Sequence, residues 1–125
     1  MGMWLIRISV IYLFIGTAIG MYMSITEDFG LSSLHTHILL MGWTTMTLAG
    51  LIYHIFPTLT RSILCKVVFI MFNIGVPFMM IGLIYLKHIA IVSAGATISS
   101  IAILLFAVHI LTGLKKSSDE RLAKG

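Results

Sequence analysis

Residues 31–57 read LSSLHTHILLMGWTTMTLAGLIYHIFP, a long apolar run with two histidines, His35 and His37, near its start. A helix of this length can cross the ~30 Å of hydrocarbon in a bilayer at ~1.5 Å per residue. Ionisable side chains are costly inside a membrane, so a histidine pair in such a span indicates a functional site. This stretch therefore predicts a transmembrane fold with a functional site at the two histidines.

The whole chain has the composition of an integral membrane protein. Of its 125 residues, 59% are hydrophobic and 10% are charged, and the mean hydropathy is +1.10. A soluble domain of this size could not bury so much apolar surface. The pattern predicts an all-α bundle of four transmembrane helices in a single membrane domain, at about 4–24, 31–56, 64–86 and 89–113, followed by a polar, frayed tail at 114–125.

The positions of the charged residues predict the orientation of the bundle. Arg7, Arg61, Lys66 and the basic tail from Lys115 fall at one end, whereas the acidic Glu27 and its neighbour fall in the first loop at the other end. The positive-inside rule then places both termini in the cytoplasm. The net charge of +4 is thus a signal of topology. No folded basic surface is left for a nucleic acid.

The spacing of His35 and His37 decides what they can bind. Residues two apart on an α-helix differ by about 200° around its axis. The two rings should therefore face opposite flanks of the helix, each at a different site, and they cannot hold one metal ion as an i, i+4 pair could. Neutral imidazole is a good ligand for iron or copper. Hydrated histidines at the membrane interface are the purely structural alternative.

Other polar residues lie at two depths in the predicted bundle. Lys87 and His88 fall at the level of His35, and Lys87 is predicted either to pair with the propionates of a haem or to be a solvated turn residue. His54 follows His35 by nineteen residues, which places it ~28 Å away along the axis. His54 and His109 share the inner level. They could pair or form a second site, but snorkelling toward the interface is the preferred interpretation.

The first span carries the small-residue motif Gly16-x-x-x-Gly20. Such motifs let two transmembrane helices approach closely. Packing within the chain is the preferred interpretation, and dimerisation through this face is the alternative.

The second span resembles a helix of a known family, over residues 31–57. It is similar to the helix of the haem–copper oxidase catalytic subunit that presents a His-x-His pair to two haems. It is also similar to the helix of nitric oxide reductases and cbb3-type oxidases in which a lone histidine, matched here by His35, ligates low-spin haem. The matching residues are His35-Thr36-His37, Met41-Gly42, Ala49-Gly50, Tyr53-His54 and Phe56-Pro57.

The resemblance implies haem b with His35 and His37 as axial iron ligands, in the bacterial inner membrane. The catalytic subunit of that family has about twelve helices in three arcs, so a homotrimer of this chain would rebuild that number, with a dimer as the alternative. Each haem would then take His35 from one protomer and His37 from the next. The sequence holds no three-histidine copper cluster with a tyrosine and no intramembrane acid. We therefore expect no complete oxygen-reduction site and no catalytic residues.

Three functions follow as expectations. The first is a haem b cytochrome that transfers electrons to and from a redox partner that the sequence does not identify. The second is a small haem enzyme or sensor that reacts with oxygen or nitric oxide at an open iron position. The third is a copper or haem carrier, or an assembly subunit of a terminal oxidase, in which His88 and Met41 could help the histidine pair to bind copper.

Overall fold

A computed structural model describes residues 1–86 and 88–124, and every regular element in those ranges is helical. Four long helices follow one another with short connections between them. They are α1 (Gly2–Thr26), α2 (Ser32–Ile55), α3 (Ile63–Ile81) and α4 (Ile89–Lys124). A 3₁₀ turn at Pro57–Arg61 links α2 to α3, and a π-helical turn at Gly82–Leu86 follows α3.

Each of the four helices is long and apolar enough to cross a membrane. The apolar segments have 22 to 27 residues and are Gly2–Thr26, Ser32–Ile55, Ile63–Ile84 and Ile89–Lys115. Such helices extend over roughly 33 to 40 Å at ~1.5 Å per residue, more than the ~30 Å of hydrocarbon in a bilayer. The predicted all-α fold with four membrane-crossing helices is confirmed at this level, and it is consistent with a multi-pass membrane protein.

The last helix is longer than the apolar pattern predicts. The pattern ends the helix near residue 113 and expects a frayed tail, whereas α4 continues to Lys124. The helix therefore includes most of the polar tail. Its residues are mostly strong helix formers, Leu, Lys, Glu, Arg and Ala, which favour helix beyond the apolar segment as well.

The four helices form two closely packed pairs, α1 with α2 and α3 with α4. The two central helices are α2 and α3: 33% and 39% of their apolar segments are buried, against 17% for each outer helix. They also supply most of the continuous apolar core, which includes Met46, Ala49, Tyr53, Val68, Phe72 and Val76. The outer helices α1 and α4 expose many large apolar side chains, among them Phe14, Ile25, Leu104 and Leu111.

Glycines bring α1 and α2 into close contact. A Cβ atom on Gly42 would lie 2.6 Å from Cγ of the Tyr12 ring. A Cβ atom on Gly16 would lie 2.6 Å from Cδ2 of Leu39. The motif Gly16-x-x-x-Gly20 thus packs against α2 of the same chain, which confirms the preferred interpretation of this motif.

A polar contact crosses the same interface between α1 and α2. The Ser9 hydroxyl donates to the carbonyl oxygen of Ile6 at 2.8 Å and lies 2.7 Å from the Thr47 hydroxyl. Since the Ser9 proton is used by Ile6, Thr47 is the donor in the second bond. Ser9 is fully buried, and both of its bonds stay inside the helix pair.

The α2 helix contains a π-helical stretch at Ile38–Thr45, directly after the two histidines. In a π-helix the hydrogen bonds run from residue i to i+5, which widens the turn. The Thr45 hydroxyl donates to the Leu40 carbonyl oxygen, five residues earlier, at 2.8 Å. The π turns rotate the part of α2 before Ile38 relative to the part after Thr45. The side chains of the two parts therefore do not follow one continuous α-helical face.

Candidate functional site

His35 lies on the side of α2 that packs against α1. Its Nδ1 atom lies 2.8 Å from the carbonyl oxygen of Gly16 on α1. Its ring also rests against Gly20, where a Cβ atom would lie 2.7 Å from His35 Cε1. The side chain is half-buried. Two residues of the neighbouring helix therefore fix the position of this ring.

His37 is held in a different way, by its own helix. Its Nδ1 atom lies 2.7 Å from the carbonyl oxygen of Ser33, one turn earlier. This side chain is also half-buried. The polar contact that holds His37 is thus independent of α1.

These two contacts determine the tautomer of each ring. A carbonyl oxygen can only accept a hydrogen bond, so Nδ1 must carry the proton in both His35 and His37. In the neutral imidazole the lone pair is then on Nε2. Among the described residues, neither Nε2 atom has a hydrogen-bond partner.

The donor set fits the ligation of haem iron or copper. Both metals bind neutral imidazole through a nitrogen lone pair. Histidines that ligate metals usually donate their other ring N–H to a carbonyl or carboxylate, which fixes the ring and raises its basicity. His35 and His37 each meet this requirement through a backbone carbonyl oxygen. Both side chains are half-buried, so neither is fully enclosed by the chain.

The two rings belong to different flanks of α2. His35 contacts α1, whereas the hydrogen bond of His37 stays within α2. Both residues lie in the regular α-helical turns at Ser32–His37, where positions two apart differ by about 200°. This arrangement agrees with the geometric expectation that the two rings diverge.

The other residues predicted at the depth of His35 and His37 do not form a metal cluster with them in the described residues. Lys87, predicted to pair with haem propionates, lies outside the described residues. His88 is exposed just before α4, and Met41 packs partly buried against the core. Within residues 1–86 and 88–124, no group of three or more His, Cys, Asp or Glu side chains is placed to hold one metal ion. The copper site stays a prediction.

At the inner end of the bundle, His109 forms a buried pair with Tyr53. His109 is 5% exposed and Tyr53 1%, and the Tyr53 hydroxyl lies 3.1 Å from His109 Nδ1. Phe106 packs edge-on against the Tyr53 ring. The prediction that His109 snorkels toward the interface is therefore wrong, because a buried phenol satisfies its ring nitrogen. His54 is exposed, as snorkelling predicts.

The sequence pattern alone does not identify the partners of these histidines. Gly16 supplies a backbone atom, which carries no residue-specific signal beyond the small-residue motif around it. The pairing of Tyr53 with His109 could be suspected from their similar predicted depth. The sequence does not tell whether Tyr53 or the adjacent His54 faces His109. That depends on the rotation of α2 about its axis, which only the packed structure defines.

Comparison of the chain with models of protein families, with curated proteins and with solved structures found no match.

Proposed function

We propose that this chain is a haem b-binding membrane cytochrome that transfers electrons. One observation carries the proposal: His35 and His37 both donate Nδ1–H to a backbone carbonyl and leave the Nε2 lone pair for a metal. Bound haem would supply a one-electron couple between ferrous and ferric iron. The resemblance of residues 31–57 to the haem–copper oxidase helix supports the choice of haem over other metal groups.

The two flanks of α2 suggest how the ligands are shared. Since His35 and His37 lie on different sides of α2, a single protomer would offer one ligand to each of two sites. In the proposed homotrimer, each haem takes His35 from one protomer and His37 from its neighbour, and a dimer would use the same exchange. Homo-oligomers usually have closed symmetry. Two protein ligands leave no open iron position for gas molecules.

The charges around the bundle support a location and an orientation. In the proposal, the protein lies in the bacterial inner membrane with both termini in the cytoplasm, because its Lys and Arg residues other than Lys87 fall toward the end opposite the histidine pair. Lys87 would then lie beside the haem propionates at the outer surface. The redox partner is a separate protein or a membrane-soluble carrier.

The first test is the reduced-minus-oxidised absorbance spectrum of the protein purified in detergent, with a pyridine haemochrome assay. The variants are His35→Ala and His37→Ala, and His54→Ala is the control because it is exposed at the other end. We expect a low-spin b-type spectrum in the wild type and the control. Each of the two site variants should lose haem or convert to a high-spin spectrum.

Carbon monoxide and metal analysis separate the alternatives. A bis-histidine haem should change its spectrum little with carbon monoxide, whereas a large change would favour the oxygen- or nitric oxide-reacting enzyme or sensor. Copper in place of iron would favour the carrier function. A colourless wild type, produced with ample haem supply, would refute the cytochrome.

A further inference from the structure

We infer that Gly16 and Gly20 of α1 are positioning residues that hold His35 in its iron-ligating tautomer. The inference rests on the proposed haem function and extends it to a second helix. It assigns a ligand-orienting role to a motif whose usual interpretation is helix packing alone.

The contacts of the two glycines are different in kind. Gly16 contributes its carbonyl oxygen, 2.8 Å from His35 Nδ1. Gly20 contributes space, because an added Cβ atom would lie 2.7 Å from Cε1, 3.2 Å from Nδ1 and 3.4 Å from Nε2 of the same ring. The Cε1 atom of the imidazole therefore lies where a side chain at position 20 would begin, and any larger residue would displace the ring.

The hydrogen bond to Gly16 selects one tautomer. If the proton moved to Nε2, the Nδ1 lone pair would face the carbonyl oxygen and both acceptors would lose their partner. An unpaired polar atom in an apolar setting is costly. The arrangement therefore favours the form with a lone pair on Nε2, before any haem is bound.

The two proposed ligands depend on α1 to different extents. His35 needs α1 in place, whereas His37 obtains its acceptor, the Ser33 carbonyl, from its own helix. Docking of α1 onto α2 thus prepares His35 alone. A change at Gly20 should alter the tautomer of His35 and not that of His37, so His37 is an internal reference in the same sample.

The experiment is ¹⁵N NMR of histidine-labelled, haem-free protein in detergent micelles, followed by haem titration. Gly20→Ala is the test variant and Gly113→Ala the matched control. The control adds a Cβ atom on α4, where it would meet the end of the Leu59 side chain and not His35. His35→Ala assigns the His35 signal.

In the wild type we expect both His35 and His37 to carry the proton on Nδ1. Gly20→Ala should change the tautomer signal of His35 only and raise the haem dissociation constant about 10- to 100-fold, the usual effect of losing a group that orients a ligand. Gly113→Ala should leave both the tautomer and haem binding unchanged.

Two results would overturn the inference without any variant having to fold: a wild-type His35 that carries its proton on Nε2, or one that exchanges freely between tautomers. An unchanged His35 signal in a folded Gly20→Ala protein would also overturn it. If the wild type shows the expected tautomer but binds no haem, the haem function itself fails, and the role toward iron fails with it.

Discussion

His35 and His37 illustrate how a polar side chain is accommodated in an apolar helix. Each satisfies one ring nitrogen with a backbone carbonyl, at 2.8 Å and 2.7 Å, so only one nitrogen per ring is left to a ligand. The same rule explains Tyr53 and His109, which satisfy each other in the core. Buried polar atoms without partners are costly, and most polar side chains here bond to a carbonyl one turn earlier.

Two buried serines make a matched test of this rule. Ser9 has two hydrogen bonds, to Ile6 and Thr47, whereas Ser99 Oγ is buried without a partner among the described residues. We expect Ser9→Ala to destabilise the protein by about 1 kcal/mol. Ser99→Ala should be neutral or stabilise by up to about 1 kcal/mol, because it removes an unpaired hydroxyl.

The measurement for this pair is unfolding of the protein in mixed detergent micelles, followed by circular dichroism. Ser24→Ala, at an exposed position of α1, reports the baseline effect of removing a hydroxyl from a helix surface. A clear loss of stability in Ser99→Ala would contradict the prediction and would mean that this hydroxyl has a bonding partner in the native protein.

The helices show which parts of the fold follow from the sequence. The four apolar runs predict the helices because ~20 apolar residues in a row have few other stable arrangements. The i, i+2 spacing likewise predicts that His35 and His37 diverge. The π turns at Ile38–Thr45 are not predicted, since a single inserted residue barely alters an apolar pattern. The sequence does not predict that the Gly16 carbonyl accepts a hydrogen bond from His35, because every residue has a carbonyl group.

Close packing of α3 on α4 leads to a prediction about Gly95. A Cβ atom there would meet the backbone of Met79, 2.7 Å from its Cα, and backbone cannot move away easily. Gly95→Ala should therefore destabilise the protein by roughly 1 to 3 kcal/mol through overpacking. Gly113→Ala is the control, since its Cβ atom would meet only the end of the Leu59 side chain at close range.

Thermal unfolding of the two variants, measured side by side in the same detergent, checks this prediction. The Gly95→Ala midpoint should fall well below that of Gly113→Ala, which should stay near the wild type. Equal midpoints would indicate that α3 and α4 are less closely packed in the membrane-extracted protein.

At the scale of the whole molecule, the fold consists of two helix pairs joined through the central helices α2 and α3. The outer helices leave many large apolar side chains exposed, which suits contact with lipid or with other protomers. The histidine pair lies near one end of a central helix, with one ring on each flank. In the proposed function, each protomer would offer two half-sites, and a neighbour would complete each of them.

Mixing two inactive variants tests this sharing of sites directly. His35→Ala protomers keep only His37, and His37→Ala protomers keep only His35, so neither forms a two-histidine site alone. In a ring that shares ligands between neighbours, random co-assembly at equal amounts should restore about a quarter of the wild-type low-spin haem. The fraction is the same for a dimer and a trimer, so native mass spectrometry of the same sample identifies the number of protomers.

The control for co-assembly is a mixture of two separately purified variants that have not been allowed to exchange subunits. It should show no restored low-spin spectrum, because complete sites arise only where a His37→Ala protomer neighbours a His35→Ala protomer. If co-expressed variants also restore nothing, while the wild type binds haem, both ligands come from one protomer. The diverging orientation of His35 and His37 on α2 argues against that outcome, because one helix cannot place both rings on the two faces of a single haem.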